Sequence, residues 1–250
     1  MTSPHDHLGV RSKRDSSWLR ATKALAVRLV SEATRLHRDR LDGRKTIDTK
    51  SSVSDLVSEV DRDCEALLVE TLKTERPDDS ILAEEMTVIS GQSGVRWAID
   101  PLDGTANYLH GYPAYGASVA AEVDGTVVAG AVRDSTTRTV YAAARGLGAT
   151  HEGRRLTVTA PSSLASAVVA TGLSYDPRQR VKQAKVLTKI VESIGDIRRS
   201  GAAAYDLCQL AAGRLDAYYE LDLALWDYAA AALIVREAGG RVLMLDAAHG

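Results

Sequence analysis

The sequence predicts an α+β protein in which helices and sheets form separate layers. Three observations support this fold class. Apolar residues recur at helical spacing in two long segments near the start of the chain. The middle of the chain carries short apolar runs of strand type that are separated by turn residues. The second half alternates strand-like and helix-like segments without a regular βαβ repeat, so we expect layers of helix and sheet.

Two long helices are predicted in the first part of the chain. The first spans about residues 16–40, because apolar side chains recur along one face of it. The second spans about residues 58–76. It begins near Ser58, with Asp61 in the capping-box position, and ends before a proline. Residues 1–15 are polar, and we expect them to form a mobile tail.

Short apolar runs in the middle of the chain predict a group of strands. The pair Asp124-Gly125 joins two of these runs and strongly favours a two-residue hairpin turn. Adjacent antiparallel strands are therefore expected here. The runs are Ser80–Ala83, Val95–Ile99, Tyr115–Val123, Thr126–Val132 and Thr139–Ala144.

Strands and helices alternate in the predicted second half. Gly239 fits the position just after the last long helix, where a left-handed residue is common. We expect residues 16–250 to form a single domain, with an N-terminal α+β half over about 16–150 and a C-terminal α/β half over about 151–250. The predicted elements are strand Ala167–Thr171, helix Pro177–Ile194, a short strand near Ile197, helix Ala202–Ala212, strand Leu215–Glu220, helix Trp226–Ala238 and strand Arg241–Leu245.

Composition excludes several classes of protein. The chain has 250 residues, of which 45% are hydrophobic, and a formal net charge of −2. This charge does not favour a nucleic-acid binder, and we interpret the surplus of Arg and Lys near the start as a solvated helix face. Residues 1–20 lack the apolar core of a signal peptide, and no apolar run reaches membrane-spanning length. We therefore expect a cytoplasmic protein that does not bind membranes.

The most informative segment is Trp97–Thr105, in which an apolar run ends in Asp100 and Asp103, followed at once by Gly-Thr. Two acids three residues apart beyond a strand end can converge on one cation, and the Leu102 carbonyl between them offers another oxygen. Gly104 lets the backbone approach a phosphate, whose oxygens would accept hydrogen bonds from the N–H groups of the turn. Taken alone, the segment also fits a surface turn with two Asx-type caps.

Acidic residues from other segments are candidates for the same site. Only one of the consecutive pair Glu84-Glu85 can face it, and we choose Glu84. Asp227 precedes a helix, Glu220 ends a strand seven residues earlier, and Asp61 lies in the first turn of the second helix. Each has an alternative interpretation: a loop charge for Glu84, a helix cap for Asp227 and Asp61, and a surface charge for Glu220.

The donor types favour Mg²⁺ over Zn²⁺, because the candidate site is rich in oxygen and the histidines and cysteines are scattered. Cys64 and Cys208 lack a CxxC partner, and we expect Cys64 to be a buried thiol. The sequence contains no nucleophile-elbow, HExxH, Walker A or GxGxxG motif. We therefore expect metal-assisted hydrolysis of a phosphate ester, with the hydroxyl of Thr105 positioning a water.

These segments closely resemble the inositol monophosphatase family of Mg²⁺-dependent, lithium-sensitive phosphatases, from about residue 20 to the end of the chain. Ala83 stands where the family usually has Gly before the acid pair, but no predicted ligand is lost. The matching motifs are Ala83-Glu84-Glu85, the segment from Trp97 to Tyr108, Trp226-Asp227-Tyr228-Ala229-Ala230 with Glu237-Ala238-Gly239-Gly240, and an early motif from Lys50 to Asp61.

The resemblance implies a layered αβαβα fold, shared with fructose bisphosphatases, and a homodimer. It assigns water activation to Thr105 with Asp61, and it also implies a catalytic role for Glu84. It assigns two or three Mg²⁺ ions to Glu84, Asp100, Asp103, Asp227 and the Leu102 carbonyl. It assigns phosphate binding to Gly104 and Thr105, and contact with the rest of the substrate to Gly201, Ala202, Ala203, Glu220 and Asp227.

The sequence thus predicts a Mg²⁺-dependent phosphomonoesterase that acts on inositol monophosphate or a similar small polyol phosphate. Histidinol phosphate is the second choice, and fructose 1,6-bisphosphate and 3′-phosphoadenosine nucleotides are further substrates of the same scaffold. A different alternative is a regulatory protein that binds RNA or a transcription complex. The basic first helix is the only feature of the sequence that supports this alternative.

Overall fold

A computed structural model of the chain describes residues 15–41, 47–49, 56–85 and 87–244, and for residues 47–49, 56 and 57 it describes the backbone alone. Of the predicted tail, only Asp15 falls within these ranges. Its carboxylate caps the first helix by accepting hydrogen bonds from the N–H groups of Ser17, at 2.9 Å, and Trp18, at 3.0 Å. Residues 50–55 of the early motif lie outside the described residues.

All the predicted helices are present, and the structure adds a short one immediately after Gly104. The second helix begins with the predicted capping box, in which Ser58 and Asp61 exchange hydrogen bonds. The described helices are α1 (Ser16–Asp39), α2 (Glu59–Glu75), α3 (Thr105–His110), α4 (Pro177–Ile190), α5 (Ala203–Ala211) and α6 (Leu225–Glu237).

The strands include all the runs predicted in the middle of the chain, together with several short strands that carry no clear sequence pattern. The described strands are β1 (Ile47–Thr49), β2 (Leu56–Ser58), β3 (Ser80–Ala83), β4 (Val88–Ile89), β5 (Val95–Asp103), β6 (Gly116–Val123), β7 (Thr126–Asp134), β8 (Val140–Ala144), β9 (Ala149–His151), β10 (Arg154–Arg155), β11 (Val168–Thr171), β12 (Asp196–Arg198) and β13 (Ala217–Tyr219).

The central sheet has eight strands in the order β10-β9-β8-β7-β6-β5-β3-β4. Neighbouring strands are antiparallel except for β3 and β5, which are parallel. The predicted hairpin is confirmed, because Val123 pairs with Thr126 across a two-residue turn. Asp124 and Gly125 have φ angles of 50° and 74°, as the twist of a tight hairpin requires.

Helices cover both faces of this sheet. Helices α1 and α2 bury a hydrophobic core that includes Leu68 and Trp97. Helices α5 and α6 bury a core rich in alanine, including Ala143 and Ala230, and such short side chains let the helices lie close to the strands. A separate parallel sheet of order β12-β11-β13 completes the layered αβαβα fold that the resemblance implied.

Several predicted bounds and one predicted strand are wrong. Helix α4 ends at Ile190 and not at Ile194, and the strand predicted over Leu215–Glu220 is shortened to β13. The strand expected to end at Ile99 continues to Asp103, because its pairing register shifts between Asp100 and Asp103 and the irregularity accommodates Pro101. The final strand Arg241–Leu245 does not form over residues 241–244, which pair with no strand in the described part of the chain. Leu245 lies outside the described residues.

Cys64 is buried as a free thiol, as predicted, and so is Cys208. Among the described helices, none combines the length and the apolar character needed to cross a lipid bilayer.

Candidate active site

A cavity of about 110 Å³ opens where β5, α3 and α5 meet the small parallel sheet. All but one of the predicted site residues line it. Asp61 is the exception, since it is fully buried behind Thr105. The lining residues that were predicted are Glu84, Asp100, Leu102, Asp103, Gly104, Thr105, Gly201, Ala202, Ala203, Glu220 and Asp227.

The two acids of β5 are buried and have fixed orientations. Asp100 accepts a hydrogen bond from the N–H of Leu102 at 2.9 Å. Both oxygens of Asp103 accept hydrogen bonds from the start of α5, from the N–H of Ala203 at 2.9 Å and of Tyr205 at 3.0 Å. Asp103 therefore caps a helix that has no capping side chain of its own, and it joins the two halves of the chain.

Asp61 combines the two roles between which the sequence could not decide. One carboxylate oxygen accepts hydrogen bonds from the N–H and hydroxyl of Ser58, which is the capping box. The other accepts the hydroxyl hydrogen bond of Thr105 at 2.8 Å. Since the Thr105 proton points to Asp61, the lone pairs of its oxygen remain available as acceptors. Burial raises the pKa of Asp61, and its hydrogen bonds to Ser58 and Thr105 oppose that rise.

Gly104 holds the turn between β5 and α3 in a conformation that only glycine adopts easily. Its φ is +92°, and a side chain there would place Cβ 2.8 Å from the carbonyl oxygen of Ala114. The first N–H groups of α3, which follow this turn, have no partner within the helix. They supply the hydrogen-bond donors expected of a phosphate-binding turn.

Glu84 and Asp227 reach the cavity from segments that are far apart in the sequence. The N–H of Glu84 donates to the carbonyl oxygen of Ile99 at 3.2 Å, which places Glu84 beside Asp100. Asp227 lies in the first turn of α6 and accepts a hydrogen bond from the N–H of Ala224 at 2.7 Å. Asp227 thus makes the predicted helix-cap contact while it also lines the cavity.

Glu65, which no sequence pattern singled out, fixes the turn that carries Glu84. One Glu65 oxygen accepts a hydrogen bond from the N–H of Glu85 at 2.6 Å, and the other accepts from the N–H and hydroxyl of Thr87. Glu65 lies one helical turn beyond Asp61 on α2. This helix therefore positions both Thr105 and the Glu84 turn.

The carboxylates destabilise one another's charged forms. The pKa of Asp100 is raised well above its ordinary value by burial first, and then by the charges of Glu84, Asp103 and Asp227. Burial also raises the pKa of Asp103, and the charge of Asp227 adds to that rise. Such a cluster favours the binding of protons or of a cation that neutralises it.

The donor chemistry of the cavity fits a hard divalent cation, since carboxylate and carbonyl oxygens from separate segments meet there. Backbone N–H groups donate hydrogen bonds to three of these acids, Asp100, Asp103 and Asp227. Within residues 15–41, 56–85 and 87–244, no group of three or more acidic, histidine or cysteine side chains is arranged to hold a metal ion. The structure therefore brings the proposed ligands together in one cavity without forming a complete coordination shell.

The opposite wall of the cavity comes from the small parallel sheet. A Cβ on Gly172 would lie 1.8 Å from the Glu220 carboxylate, so the glycine makes room for that side chain. Glu220 also accepts a hydrogen bond from the hydroxyl of Tyr218. Burial raises the pKa of Glu220, while the positive charge of Arg199 opposes that rise.

Sequence reasoning missed several lining residues of this wall. The strand ends themselves were a partial signal, because the carboxyl ends of parallel strands meet at one edge of a sheet, where ligands often bind. The strands β11, β12 and β13 end immediately before residues that line the cavity, but the sequence did not show that these strands are parallel neighbours. The missed residues are Thr171, Gly172, Leu173, Tyr175, Arg199, Asp206 and Leu223.

The layered fold and the acid-lined cavity define the class of this protein as a phosphatase of the αβαβα architecture. The chain belongs to the inositol monophosphatase family, because the sequence pattern of that family matches residues 18–249.

Similar proteins support this assignment. The chain is 48% identical over 212 residues to the inositol-1-monophosphatase SuhB of Mycobacterium tuberculosis. The aligned region covers 81% of this chain and 73% of the relative. It is 36% identical over 228 residues to the Nus factor SuhB of Haemophilus influenzae, and the aligned region covers 90% of this chain and 85% of that relative. The crystal structure of the extragenic suppressor protein suhB from Bartonella henselae superposes with a TM-score of 0.83 at 36% identity, over 88% of this chain and 85% of that one.

Proposed function

We propose that the chain is a Mg²⁺-dependent phosphomonoesterase that hydrolyses inositol monophosphate or a similar small polyol phosphate to alcohol and phosphate. The observation that carries this proposal is the meeting of Glu84, Asp100, Asp103 and Asp227 in one cavity with the Gly104 turn. Membership of the family supports the phosphatase class. The name of the mycobacterial relative supports the choice of inositol monophosphate.

The proposed metal ligands are these four acids and the carbonyl oxygen of Leu102, which would hold two or three ions. When bound, Mg²⁺ supplies neutralisation of the phosphate charge and lowers the pKa of the attacking water. The raised pKa values of Asp100 and Asp103 support a cation requirement, because the cluster is unfavourable while all its carboxylates are charged.

Thr105 and Asp61 act together on the attacking water in this proposal. Asp61 accepts a hydrogen bond from the Thr105 hydroxyl, so the Thr105 oxygen is free to accept a hydrogen bond from the water and to align it with the phosphorus atom. The N–H groups of Gly104 and Thr105 donate to the phosphate oxygens. Glu84, the third proposed catalytic residue, borders the space that the water would occupy and would help to orient it.

The small-sheet wall would bind the rest of the substrate. Its contacts are assigned to Gly201, Ala202, Ala203, Glu220 and Asp227. A carboxylate such as Glu220 accepts hydrogen bonds from polyol hydroxyls, which supports a polyol over an apolar alcohol. The resemblance to the family also supports lithium sensitivity, a homodimer and a cytoplasmic location, and the single-domain arrangement of residues 16–250 stays a prediction.

A phosphate-release screen tests this function. The panel consists of inositol monophosphate, histidinol phosphate, fructose 1,6-bisphosphate and a 3′-phosphoadenosine nucleotide, each with Mg²⁺, with EDTA and with added Li⁺. We expect the fastest turnover on inositol monophosphate, its loss in EDTA and its inhibition by Li⁺. Faster turnover of histidinol phosphate would make it the preferred substrate in place of inositol monophosphate. Undiminished turnover in EDTA would contradict the metal requirement.

A second candidate function is suggested by the relative from Haemophilus influenzae, which is named a Nus factor. A regulatory role in a transcription complex would use the protein surface and would not require turnover. The Asp100→Asn variant separates the two functions, because the change removes a proposed metal ligand and leaves the surface intact. RNA binding that falls steeply with salt and is unchanged in this variant would support the regulatory role.

A further inference from the structure

A second cavity, of about 140 Å³, lies between α1 and the end of β7 and shares no lining residue with the acid-lined cavity. Four arginines line it: Arg35 and Arg38 from α1, Arg133 from β7, and Arg138 from the turn after β7. We call it the arginine pocket. Among the described residues, no acidic side chain lines it.

The arginines are presented by a rigid framework. Arg35 and Arg38 lie three residues apart on one face of α1. The turn that carries Arg138 is held by Asp134, whose carboxylate accepts hydrogen bonds from the N–H and hydroxyl groups of Thr136 and Thr137 at 2.6–3.2 Å. This part of the pocket is therefore formed before any ligand binds.

The hydroxyl protons of the pocket are already used within the protein. Ser31 and Thr34 donate to the carbonyl oxygens of Val27 and Val30, at 2.6 and 2.9 Å. The hydroxyl of Ser135 lies 2.9 Å from Nδ1 of His37. The donors that remain for a ligand are consequently those of the guanidinium groups, each of which carries five N–H bonds. Among the described residues, only two of these donors have a partner in the protein: Nε of Arg133 donates to the carbonyl oxygen of Arg138 at 3.3 Å, and Arg38 donates to Asp39 at 3.4 Å.

The positive charge of the pocket is only weakly compensated. Arg38 contacts Asp39 at 3.4 Å, and in the described part of the chain neither Arg35 nor Arg138 forms an ion pair within 4.0 Å. Burial lowers the pKa of Arg133, and the charges of Arg38 and Arg138 lower it further against an opposing effect of Glu152. An anion in the pocket would relieve this repulsion.

We propose that the arginine pocket is a second ligand site, which binds a small phosphate-bearing molecule with at least two negative charges. Guanidinium groups form paired, charge-assisted hydrogen bonds with phosphate oxygens, and several groups can share one phosphate. The four arginines come from α1, from β7 and from the turn after β7, and all of them line one cavity, whereas contacts with a nucleic-acid backbone would extend along the surface. The geometry therefore favours a compact ligand over RNA.

Calorimetric titration with inorganic pyrophosphate in EDTA tests the proposal. EDTA removes divalent cations, so the acid-lined cavity does not attract the probe. The test variant is the double substitution Arg35→Gln and Arg138→Gln. Both side chains are exposed, so we expect the variant to fold. The matched control is Arg20→Gln and Arg178→Gln, which removes the same charge from exposed arginines elsewhere.

We expect one pyrophosphate per chain in the wild type, at least tenfold weaker binding in the test variant, and a change of less than twofold in the control. No binding by the wild type, or equal weakening in both variants, would overturn the proposal. A short single-stranded RNA is titrated in parallel. Binding of the RNA with no uptake of pyrophosphate would show that the pocket serves nucleic acid instead.

A measurement on the unmodified chain does not depend on how the variants fold. Phenylglyoxal labels accessible arginines, and mass spectrometry of the digested protein locates the label. We expect pyrophosphate to protect all four arginines of the pocket and to leave Arg178 unprotected. Equal labelling with and without pyrophosphate would contradict a site at this position.

Discussion

The two walls of the acid-lined cavity are built differently. The wall from β5 and α3, which we call the catalytic wall, holds Asp100, Asp103 and Thr105 at 2–7% exposure, and each makes hydrogen bonds to the protein. The wall from the small parallel sheet, which we call the recognition wall, carries the half-buried Glu220 and the exposed Arg199. In the proposed function, chemistry depends on fixed side chains, whereas substrate choice depends on side chains that solvent reaches.

The largest expected effect is on the catalytic wall, in Asp100→Asn. The asparagine oxygen can keep the hydrogen bond from the N–H of Leu102, so the fold should remain. Loss of a proposed metal ligand should lower kcat for phosphate release roughly 100- to 1000-fold. The metal-free variant should be at least as stable as the metal-free wild type, because one buried repulsive charge is removed.

The matched control for this prediction is Asp222→Asn, which removes an exposed carboxylate beyond β13 that does not line the cavity. Phosphate release and urea unfolding are measured for both variants. A kcat within tenfold of wild type for Asp100→Asn would show that the cavity acids are not the metal ligands. Asp103→Asn is a poorer choice, because an amide cannot accept hydrogen bonds from both Ala203 and Tyr205 in the way the carboxylate does.

Gly104→Ala tests whether the shape of the turn matters as well as its charge. The φ of +92° and the approach of Cβ to within 2.8 Å of the Ala114 carbonyl oxygen should together cost about 3 kcal/mol and displace the N–H groups proposed to bind phosphate. Gly111→Ala is the control, since φ there is +69° but no atom lies within 4 Å of the added Cβ. Equal stability and kcat in the two variants would remove the argument for a close-fitting turn.

Glu65→Gln tests support of the catalytic wall from behind. The amide would keep only one of the acceptor oxygens that hold the N–H groups of Glu85 and Thr87, so the Glu84 turn should loosen. We expect Mg²⁺ activation of phosphate release to require roughly ten- to a hundredfold more Mg²⁺. Glu70→Gln, an exposed change on the same helix, should leave the Mg²⁺ dependence unaltered. An unchanged dependence in Glu65→Gln would show that this residue serves stability alone.

His37 supports the catalytic wall through its Nε2, which donates to the carbonyl oxygen of Pro101 at 2.9 Å. Burial lowers the pKa of His37 from 6.5 to about 4. The unfolded chain therefore binds a proton below pH 6.5 that the folded chain does not, and stability is lost as the pH falls from 6.5 towards 4. Between pH 7.5 and pH 5 this should cost about 2 kcal/mol.

Urea unfolding at these two pH values checks the prediction. The wild type should lose more stability between them than His37→Gln does, whereas the exposed His110→Gln should behave like the wild type. Identical losses in all the proteins would mean that His37 does not remain neutral in the fold.

The smallest effect is expected on the recognition wall, in Glu220→Gln. The side chain would still accept hydrogen bonds from a polyol but would lose its charge, so KM should rise about tenfold with kcat nearly unchanged. Steady-state kinetics on inositol monophosphate measures both constants. A fall in kcat comparable to that of Asp100→Asn would erase the distinction between the two walls.

The difference between the walls also explains what the sequence could predict. The acids and the turn of the catalytic wall lie within six consecutive residues, from Asp100 to Thr105. A strand followed by a turn brings them together, so local patterns were enough to predict them. Arg199 and its neighbours meet only because three short strands lie parallel, and their order depends on packing that no local pattern encodes.

Long elements were predictable for the same reason. The helical periodicity of α1 and α2 and the turn at Asp124 are local signals, and all were confirmed. The extension of β5 to Asp103 could not be predicted in this way, because a proline usually marks the end of a strand. The register shift that accommodates Pro101 depends on the neighbouring strand. Glu65 escaped notice because its partners lie twenty or more residues away.

The most direct test of the catalytic wall is anomalous diffraction from crystals soaked in Mn²⁺, which substitutes for Mg²⁺ at oxygen-rich sites. We predict at least one Mn²⁺ peak in the acid-lined cavity, within bonding distance of Asp100 and of Glu84 or Asp227. Asp100→Asn crystals under the same conditions should show a weaker peak or none. A wild-type cavity free of Mn²⁺, at a concentration that supports phosphate release in solution, would contradict the account.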